Sequence, residues 1–191
     1  MNNWLKATAF CLIGLATTGA YAQKAGLSLQ LADETARVGI LSEADWMSEI
    51  YRFEAGFQYN NNKDYVVDAS MLYTNKGLVD PNLDLGFKAK GAFIFLDQPD
   101  SDTYGALLGI YGRYWLPTPV PSALVAQYLL SPQILTFGDG KAMRELMVRG
   151  QVQLLRNMNG FVGYRRFSVE FENLDTVEMD DGVHIGIELS F

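Results

Sequence analysis

Much of the chain alternates apolar and polar residues with a period of two. In residues 51–59 the apolar and aromatic side chains occupy the odd positions, and charged, amide or glycine residues lie between them. The same alternation recurs in residues 65–73, 83–95, 146–154 and 185–191. A period of two places neighbouring side chains on opposite faces of a β-strand. The chain is therefore predicted to be all-β, with strands whose two faces differ chemically.

This pattern predicts an antiparallel up-and-down β-barrel. We expect about ten strands, near residues 25–32, 35–42, 48–60, 64–75, 82–96, 103–115, 122–131, 142–156, 159–171 and 182–191. The strands at 35–42 and 122–131 have the weakest pattern, and without both of them the count is eight. Ten is preferred because residues 123–130 are too apolar for an exposed loop. The three prolines within residues 117–121 lack an N–H for a strand ladder, so they predict a turn.

The face that points outward decides between a membrane barrel and a soluble one. Strands of about ten residues are long enough to cross a bilayer at a tilt of about 45°. Two strands have tyrosines at both ends, and these are Tyr51 with Tyr59 and Tyr65 with Tyr73. Eight residues at about 3.3 Å each separate the rings by roughly 26 Å, which matches the aromatic girdles of outer-membrane barrels. A transmembrane barrel is therefore predicted, and the alternative is a soluble periplasmic lipocalin-like binder with its apolar face inside.

The amino terminus has the pattern of a secretory signal peptide. Lys6 precedes an apolar run at residues 7–16, and Ala20-Tyr21-Ala22 has the small residues that signal peptidase reads. We predict a signal peptide over residues 1–22 and an outer-membrane barrel domain over residues 23–191. The only cysteine of the sequence, Cys11, lies in the apolar run, so the mature chain has no disulfide.

The last predicted strand resembles the assembly signal of outer-membrane barrels. Apolar residues occupy every second position up to a terminal aromatic residue, namely Ile185, Ile187, Leu189 and Phe191. The partners expected from this pattern are periplasmic chaperones and the barrel assembly machinery, followed by outer-membrane lipid and lipopolysaccharide. The predicted location is the outer membrane of a Gram-negative bacterium, and the predicted state is a monomer.

Net charge and the predicted loops add to this interpretation. The chain has a formal net charge of −7, and removal of Lys6 with the signal peptide makes it −8. A negative chain argues against nucleic-acid binding, for which a basic patch is expected. With ten strands, the tight turn at Asn157–Asn159 is predicted in the periplasm. The longer acidic connections, 97–102 and 173–181, are predicted outside the cell, because extracellular loops are usually the longer ones.

Charged residues on the polar faces predict an ion-pair network in the lumen. Its predicted members are Glu54, Asp68, Asp84, Lys88, Lys90, Arg113, Arg149, Arg166, Glu170, His184 and Glu188. The alternation leaves a choice between Arg165 and Arg166. Phe161, Phe167 and Phe171 share the parity of Arg165, which assigns Arg165 to the lipid side and Arg166 to the lumen. Ten strands leave little interior space, so this network is expected to fill the barrel.

Catalytic and metal-binding patterns are weak. His184 is the single histidine, with Glu188 four residues along the same face and no serine beside it, so a lipid hydrolase based on His184 is only an alternative. Residues 100–105 begin like a calcium loop, but position twelve is Tyr111 instead of glutamate. The acidic residues between 175 and 181 are interpreted as a solvated loop. No cofactor and no metal are predicted.

Two short segments add a family resemblance. Residues 131–137 (Ser-Pro-Gln-Ile-Leu-Thr-Phe) and 163–166 (Gly-Tyr-Arg-Arg), together with the signal peptide and the long alternating strands, resemble the YfaZ family of outer-membrane proteins. The resemblance implies an outer-membrane β-barrel and no particular reaction. The expected function is a non-enzymatic structural or narrow-pore role in the bacterial envelope, and the alternatives are a lipid-modifying enzyme and the lipocalin-like binder.

Overall fold

The computed structural model describes residues 22–97, 101–171 and 176–191 as an antiparallel sheet. Its strands are β1 (Ala22–Ala32), β2 (Thr35–Trp46), β3 (Glu49–Asn60), β4 (Tyr65–Lys76), β5 (Leu83–Leu96), β6 (Ser101–Leu116), β7 (Ser122–Ser131), β8 (Thr136–Gly138), β9 (Gly140–Leu155), β10 (Met158–Phe171) and β11 (Val177–Ser190). Residues 1–21 of the predicted signal peptide lie outside the described residues. So do Asp100 of the calcium-like loop and Asp175 of the acidic segment.

The sheet closes on itself as a barrel. Strand β1 pairs with β2 on one side and with β11 on the other, so that Gly26 faces both Leu41 and Ser190. Strands β7 and β8 both pair with β6, and a 3-10 turn at Gln133–Leu135 separates them. They form one interrupted strand, so the barrel has ten strand positions. The prediction of a ten-stranded antiparallel barrel is confirmed.

The two ends of the barrel are named by its first and last strands. The proximal end is where β1 begins and β11 ends, with connections at 47–48, 77–82, 117–121 and 156–157; the distal end is opposite. The turn at the prolines is confirmed. The predicted bounds of the acidic connections 97–102 and 173–181 are wrong in part, because Ser101 and Asp102 belong to β6 and residues 177–181 belong to β11.

Alternating burial identifies the outward face. In β7 the side chains of Leu124, Tyr128 and Leu130 are exposed on the outside, while Val125 and Gln127 are buried inside. Apolar residues thus cover the outer surface and charged residues face the lumen, which is the arrangement of a membrane barrel and not of a lipocalin. In the part of the chain that the structure describes, no helix is long and apolar enough to span a membrane.

Aromatic residues form two rows on the outer surface. Near the proximal end, the rings of Tyr51 and Tyr73 lie 5.3 Å apart, and both hydroxyls donate to the carboxylate of Glu49. Near the distal end, Tyr59 and Tyr65 are register partners on β3 and β4. Stacked rings continue this distal row across β3–β8, with centroid distances of 4.7–6.3 Å, through Phe57, Tyr65, Phe95, Phe93, Tyr104 and Phe137. All four predicted girdle tyrosines therefore lie on the outer face.

An apolar cluster fills the distal part of the interior. Its buried members come from seven strand positions: Val66, Ala92, Ile94, Leu96, Leu107, Leu129, Met143, Phe167, Val169, Phe171 and Met179. Each of these residues lies in the half of its strand that is nearer to the distal end. Apolar side chains therefore occupy a large part of the distal interior.

Gly109 marks a close approach of β6 and β7. A Cβ atom at this position would overlap the carbonyl oxygen of Tyr128 and crowd the backbone of Leu129. We expect Gly109→Ala to lower the free energy of unfolding by about 1–3 kcal/mol, because the backbone must shift to admit the methyl group. Gly91→Ala is the control, since its nearest atom would be the Ala69 oxygen at 3.9 Å. Urea unfolding that showed equal stability for both variants would contradict this close approach.

Candidate functional site in the barrel lumen

The side chains of the lumen form a connected set of ion pairs. Of the predicted residues, the structure places nine on the inward face: Glu54, Asp68, Asp84, Lys88, Lys90, Arg113, Arg149, His184 and Glu188. The period-two alternation of their strands positions them, because each inward residue follows an outward apolar one. The ion pairs join strands that are distant along the chain.

The proximal part of the network centres on Glu188 of β11. Arg52 of β3 donates to both carboxylate oxygens of Glu188, at 2.9 and 2.7 Å. This bidentate geometry is the strong form of an arginine–carboxylate pair. Arg149 lies 3.8 Å from the same carboxylate, and Glu43 lies 3.7 Å from Arg52. Glu188 therefore links β3, β9 and β11 across the lumen.

The middle of the network links β2, β3, β4 and β5. Arg37 forms ion pairs with Glu54 at 2.6 Å and with Asp68 at 2.9 Å. Lys90 lies 3.9 Å from Asp68 and pairs with Glu145 of β9 at 2.7 Å. Lys90 and Glu145 are each about 3% exposed, so this pair is shielded from solvent.

Four residues close the lumen on the distal side of its middle: Gln58, Arg165, Met179 and Asp180. We call them the closing layer. Arg165 pairs with Glu145 at 3.1 Å and with Asp180 at 3.2 Å, and it donates a hydrogen bond to Gln58. Gln58 in turn donates to the carbonyl oxygen of Met179 at 3.1 Å. The layer is thus held by hydrogen bonds between β3, β10 and β11.

The charges of the connected network balance. Within the described residues it has six cations and six carboxylates: Arg37, Arg52, Lys88, Lys90, Arg149 and Arg165, with Glu43, Glu54, Asp68, Glu145, Asp180 and Glu188. Lys88 joins it through Gln127, which also donates to Glu145. Buried charges are tolerated when each has an opposite partner, so this equality is the condition for a stable charged interior.

Asp84 forms a separate group near the proximal end. Its carboxylate accepts hydrogen bonds from Arg113 at 3.0 Å and from the indole N–H of Trp115 at 2.8 Å. The Arg113 guanidinium also lies over the Trp115 ring, 4.7 Å from its centroid. These contacts fix β5 to β6 at the end of the lumen that is not filled by apolar residues.

Two predicted lumen residues lie on the outer face instead. Arg166 and Glu170 project outward from β10, where Arg166 pairs with Glu178 and Glu170 lies 3.7 Å from Arg144. The assignment was wrong because the phenylalanines of β10 point inward. Phe167 and Phe171 belong to the distal apolar cluster, whereas Phe161 lies against His184 and Arg149. Phe167 packs between the cations Lys90 and Arg165 at 4.9 and 5.4 Å.

The network also contains charged residues that the sequence interpretation did not include. These are Arg37, Glu43, Arg52, Glu145, Arg165 and Asp180. The alternation had already placed Arg52 on the face of Glu54, and Glu145 opposite the outward Leu146. Asp180 was missed because β11 begins at Val177, five residues before the predicted start at 182.

His184 lies inside the barrel without a catalytic partner. Its side chain is 1% exposed, and neither ring nitrogen has a hydrogen-bond partner within the described residues. The ring lies edge-on to Phe161 at 5.9 Å. Glu188, the predicted acid beside it, is bonded to Arg52 instead. Within the part of the chain that the structure describes, His184 therefore forms no serine–histidine or histidine–acid dyad.

Three cavities follow the lumen axis. A proximal cavity of about 500 Å³, which we call the vestibule, reaches from the connections at the proximal end to Arg52, Tyr111 and Arg149. A middle cavity of about 60 Å³ begins at those same three residues and reaches Arg165. A distal mouth of about 280 Å³ is lined by Met179 and Asp180. The closing layer separates the middle cavity from the distal mouth.

The distal mouth is acidic, but it shows no metal centre. Asp33, Glu34, Glu178, Asp180 and Asp181 line it. No group of three or more potential ligands that could hold a metal ion occurs within residues 22–97, 101–171 and 176–191. Three of these acidic side chains are bonded to neighbours: Asp180 accepts from Thr35 at 3.2 Å, Asp181 accepts from Tyr164, and Glu178 pairs with Arg166.

Comparison with known proteins supplies a family and distant structural likenesses. A family model described as YfaZ precursor matches residues 11–191. A search of the curated proteins finds no match. Among solved structures, the outer membrane channel DcaP of Acinetobacter baumannii is similar at a TM-score of 0.46 and 8% identity, over 86% of this chain and 54% of that chain. A bacterial polysaccharide outer membrane secretin is similar at a TM-score of 0.44 and 11% identity, over 88% of this chain and 64% of that chain. This chain thus spans about half to two thirds of those two chains.

Proposed function

The chain belongs to the YfaZ family of outer-membrane proteins, and we propose that it is a closed, non-enzymatic barrel with a structural role in the bacterial envelope. The observation that carries this proposal is the closing layer, in which Arg165 joins Glu145, Asp180 and Gln58 across the lumen. The middle cavity beneath it, of about 60 Å³, has room for only a few water molecules. A solute has no continuous path through such an interior.

We also propose that the barrel catalyses no reaction. Hydrolysis of a lipid by a histidine dyad needs a nucleophile within hydrogen-bond reach of the base. Among the described residues, His184 has no hydrogen bond to a serine or an acid, and its buried ring lies edge-on to Phe161. The lipid-facing surface of the barrel is on the opposite side of the wall. This arrangement favours the structural role over a lipid-modifying enzyme.

We propose that the proximal end faces the periplasm and the distal end faces outward. An even number of strands places the start of β1 and the end of β11 on the same side, which in outer-membrane barrels is the periplasmic side. Lipopolysaccharide and phospholipid are the proposed lipid partners of the outer surface. The distal aromatic row and the polar outward residues Arg144, Arg166 and Glu170 fit the boundary between hydrocarbon and headgroups. Chaperones and the assembly machinery are the proposed folding partners, through Ile185, Ile187, Leu189 and Phe191.

Single-channel recording in planar lipid bilayers tests the closed state. We expect the refolded wild-type barrel to insert without discrete conductance steps, because the closing layer and the apolar cluster leave no aqueous path. Insertion is verified by the shift between unheated and heated bands on a gel. Reproducible steps from the wild-type protein would contradict the closed barrel and would support the narrow-pore role instead.

A further inference from the structure

A purely structural barrel does not require a cavity of the size of the vestibule. Its volume of about 500 Å³ lies within the range of small-molecule sites. It opens at the proximal end and ends at Arg52, Tyr111 and Arg149, where only the small middle cavity continues. A solute that entered from the proximal end would therefore reach the floor of the vestibule and stop there.

The floor and wall of the vestibule are rich in cations. Six basic side chains line it, although the chain as a whole has a net charge of −7: Lys24, Arg52, Lys76, Arg113, Arg149 and Arg156. Its three lining carboxylates are all engaged. Asp45 pairs with Lys76 at 2.8 Å, Glu188 accepts both donors of Arg52, and Glu43 lies 3.7 Å from Arg52.

Arg149 is the cation with unused donors at the floor. Among the described residues, its guanidinium donates no hydrogen bond, and its Nε is buried without a partner. The nearest carboxylate is Glu188 at 3.8 Å, beyond hydrogen-bond distance, and its oxygens already accept from Arg52. The guanidinium lies over the Phe161 ring, 4.6 Å from the centroid, which restricts its orientation. The side chain is 15% exposed, but its buried Nε–H lacks an acceptor, and a buried donor without an acceptor is costly.

We propose that Arg149 binds a small oxyanion, a carboxylate or a phosphate, which enters the vestibule from the proximal end. The planar fork of a guanidinium matches the two oxygens of either group, and both groups supply the acceptor that Arg149 lacks. Gln151 follows two residues later on the same face of β9 and lines the vestibule as an amide donor. The neighbouring cations Lys24 and Arg156 favour the approach of an anion. This binding does not depend on whether the barrel conducts.

Isothermal titration calorimetry of the refolded full-length barrel in detergent tests the site. Inorganic phosphate and citrate are titrated separately at low ionic strength, and we expect saturable binding of at least one of them. Arg149→Gln is expected to weaken that binding at least tenfold. The matched control is Arg166→Gln, which removes an arginine from the outer face of the barrel. Wild-type binding of neither anion, or equal binding by Arg149→Gln, would overturn the proposal.

A second variant separates loss of binding from loss of folding. Arg149→Lys keeps a positive charge near Glu188 but removes the planar fork, so we expect a folded barrel with weaker binding. The gel shift on heating verifies folding for each variant. A preference for phosphate or for citrate distinguishes the two ligand sources. Failure of the closed-barrel proposal would appear only in the conductance recordings, so the two proposals fail separately.

Discussion

Replacing Glu145 by glutamine is expected to lower the free energy of unfolding of the barrel by about 3–5 kcal/mol, the range for one partner removed from a buried ion pair. Its carboxylate accepts from Lys90 at 2.7 Å, from Arg165 at 3.1 Å and from Gln127 at 3.1 Å. The substitution leaves two buried cations without their shared counter-charge. The network then has six cations against five carboxylates.

Glu170→Gln is the matched control for this measurement. Glu170 pairs with Arg144 at 3.7 Å on the outer face, where their side chains are 40% and 63% exposed. An exposed pair of this kind contributes about 0–1 kcal/mol. Urea unfolding in lipid vesicles, followed by tryptophan fluorescence, gives both values. Equal stability of the two variants would mean that the lumen charges are solvated and that the network does not hold the barrel together.

The alternation of β3, β4 and β5 was sufficient to predict these strands and their faces. In these strands the period-two pattern runs without interruption. Once one side chain of a strand is assigned to the outer face, the directions of all its remaining side chains follow. The tyrosine pairs then indicated which face meets lipid. Strand β2 was predicted at residues 35–42 from a short pattern. The structure confirms this strand and extends it to Trp46.

The face assignment failed at β10, and the distal part of β11 was not predicted as strand. Aromatic residues were taken as lipid-facing, but Phe161, Phe167 and Phe171 are buried inside the barrel. Phe167 and Phe171 belong to the distal apolar cluster, and Phe161 lies against His184. The register between β10 and β11 also shifts between Phe167 and Ser168, and Met179 and Asp180 are both buried as a result. A bulge of this kind changes the phase of a strand, and the sequence contains no sign of it.

The partners of the lumen charges could not be predicted at all. Arg52 and Glu188 are 136 residues apart, and Gln58 and Arg165 are 107 residues apart. Which charges meet across the interior depends on strand tilt and on the register shift around the barrel, and both depend on the whole set of strands. The alternation identifies the inward face of a strand, but it does not identify the residue opposite.

The closing layer leads to the second prediction of large effect. We expect the double substitution Arg165→Ala with Asp180→Ala to convert a silent barrel into one with discrete conductance steps. Arg165 lines the middle cavity and Asp180 lines the distal mouth, so their truncation joins these two spaces. The substitution removes one positive and one negative charge. Glu145 keeps Lys90 as its partner at 2.7 Å, so no buried charge is left alone.

The matched control removes a neighbouring ion pair between the same two strands. Arg166→Ala with Glu178→Ala truncates neighbours of the same two strands, but both side chains lie on the outer face. This variant is expected to stay silent in planar bilayers, and both variants are expected to show the gel shift of a folded barrel. Steps from the lumen variant alone would locate the barrier at Arg165 and Asp180. Silence of both folded variants would instead place the barrier in the apolar cluster around Phe167, because that cluster would then close the lumen without the ion pair.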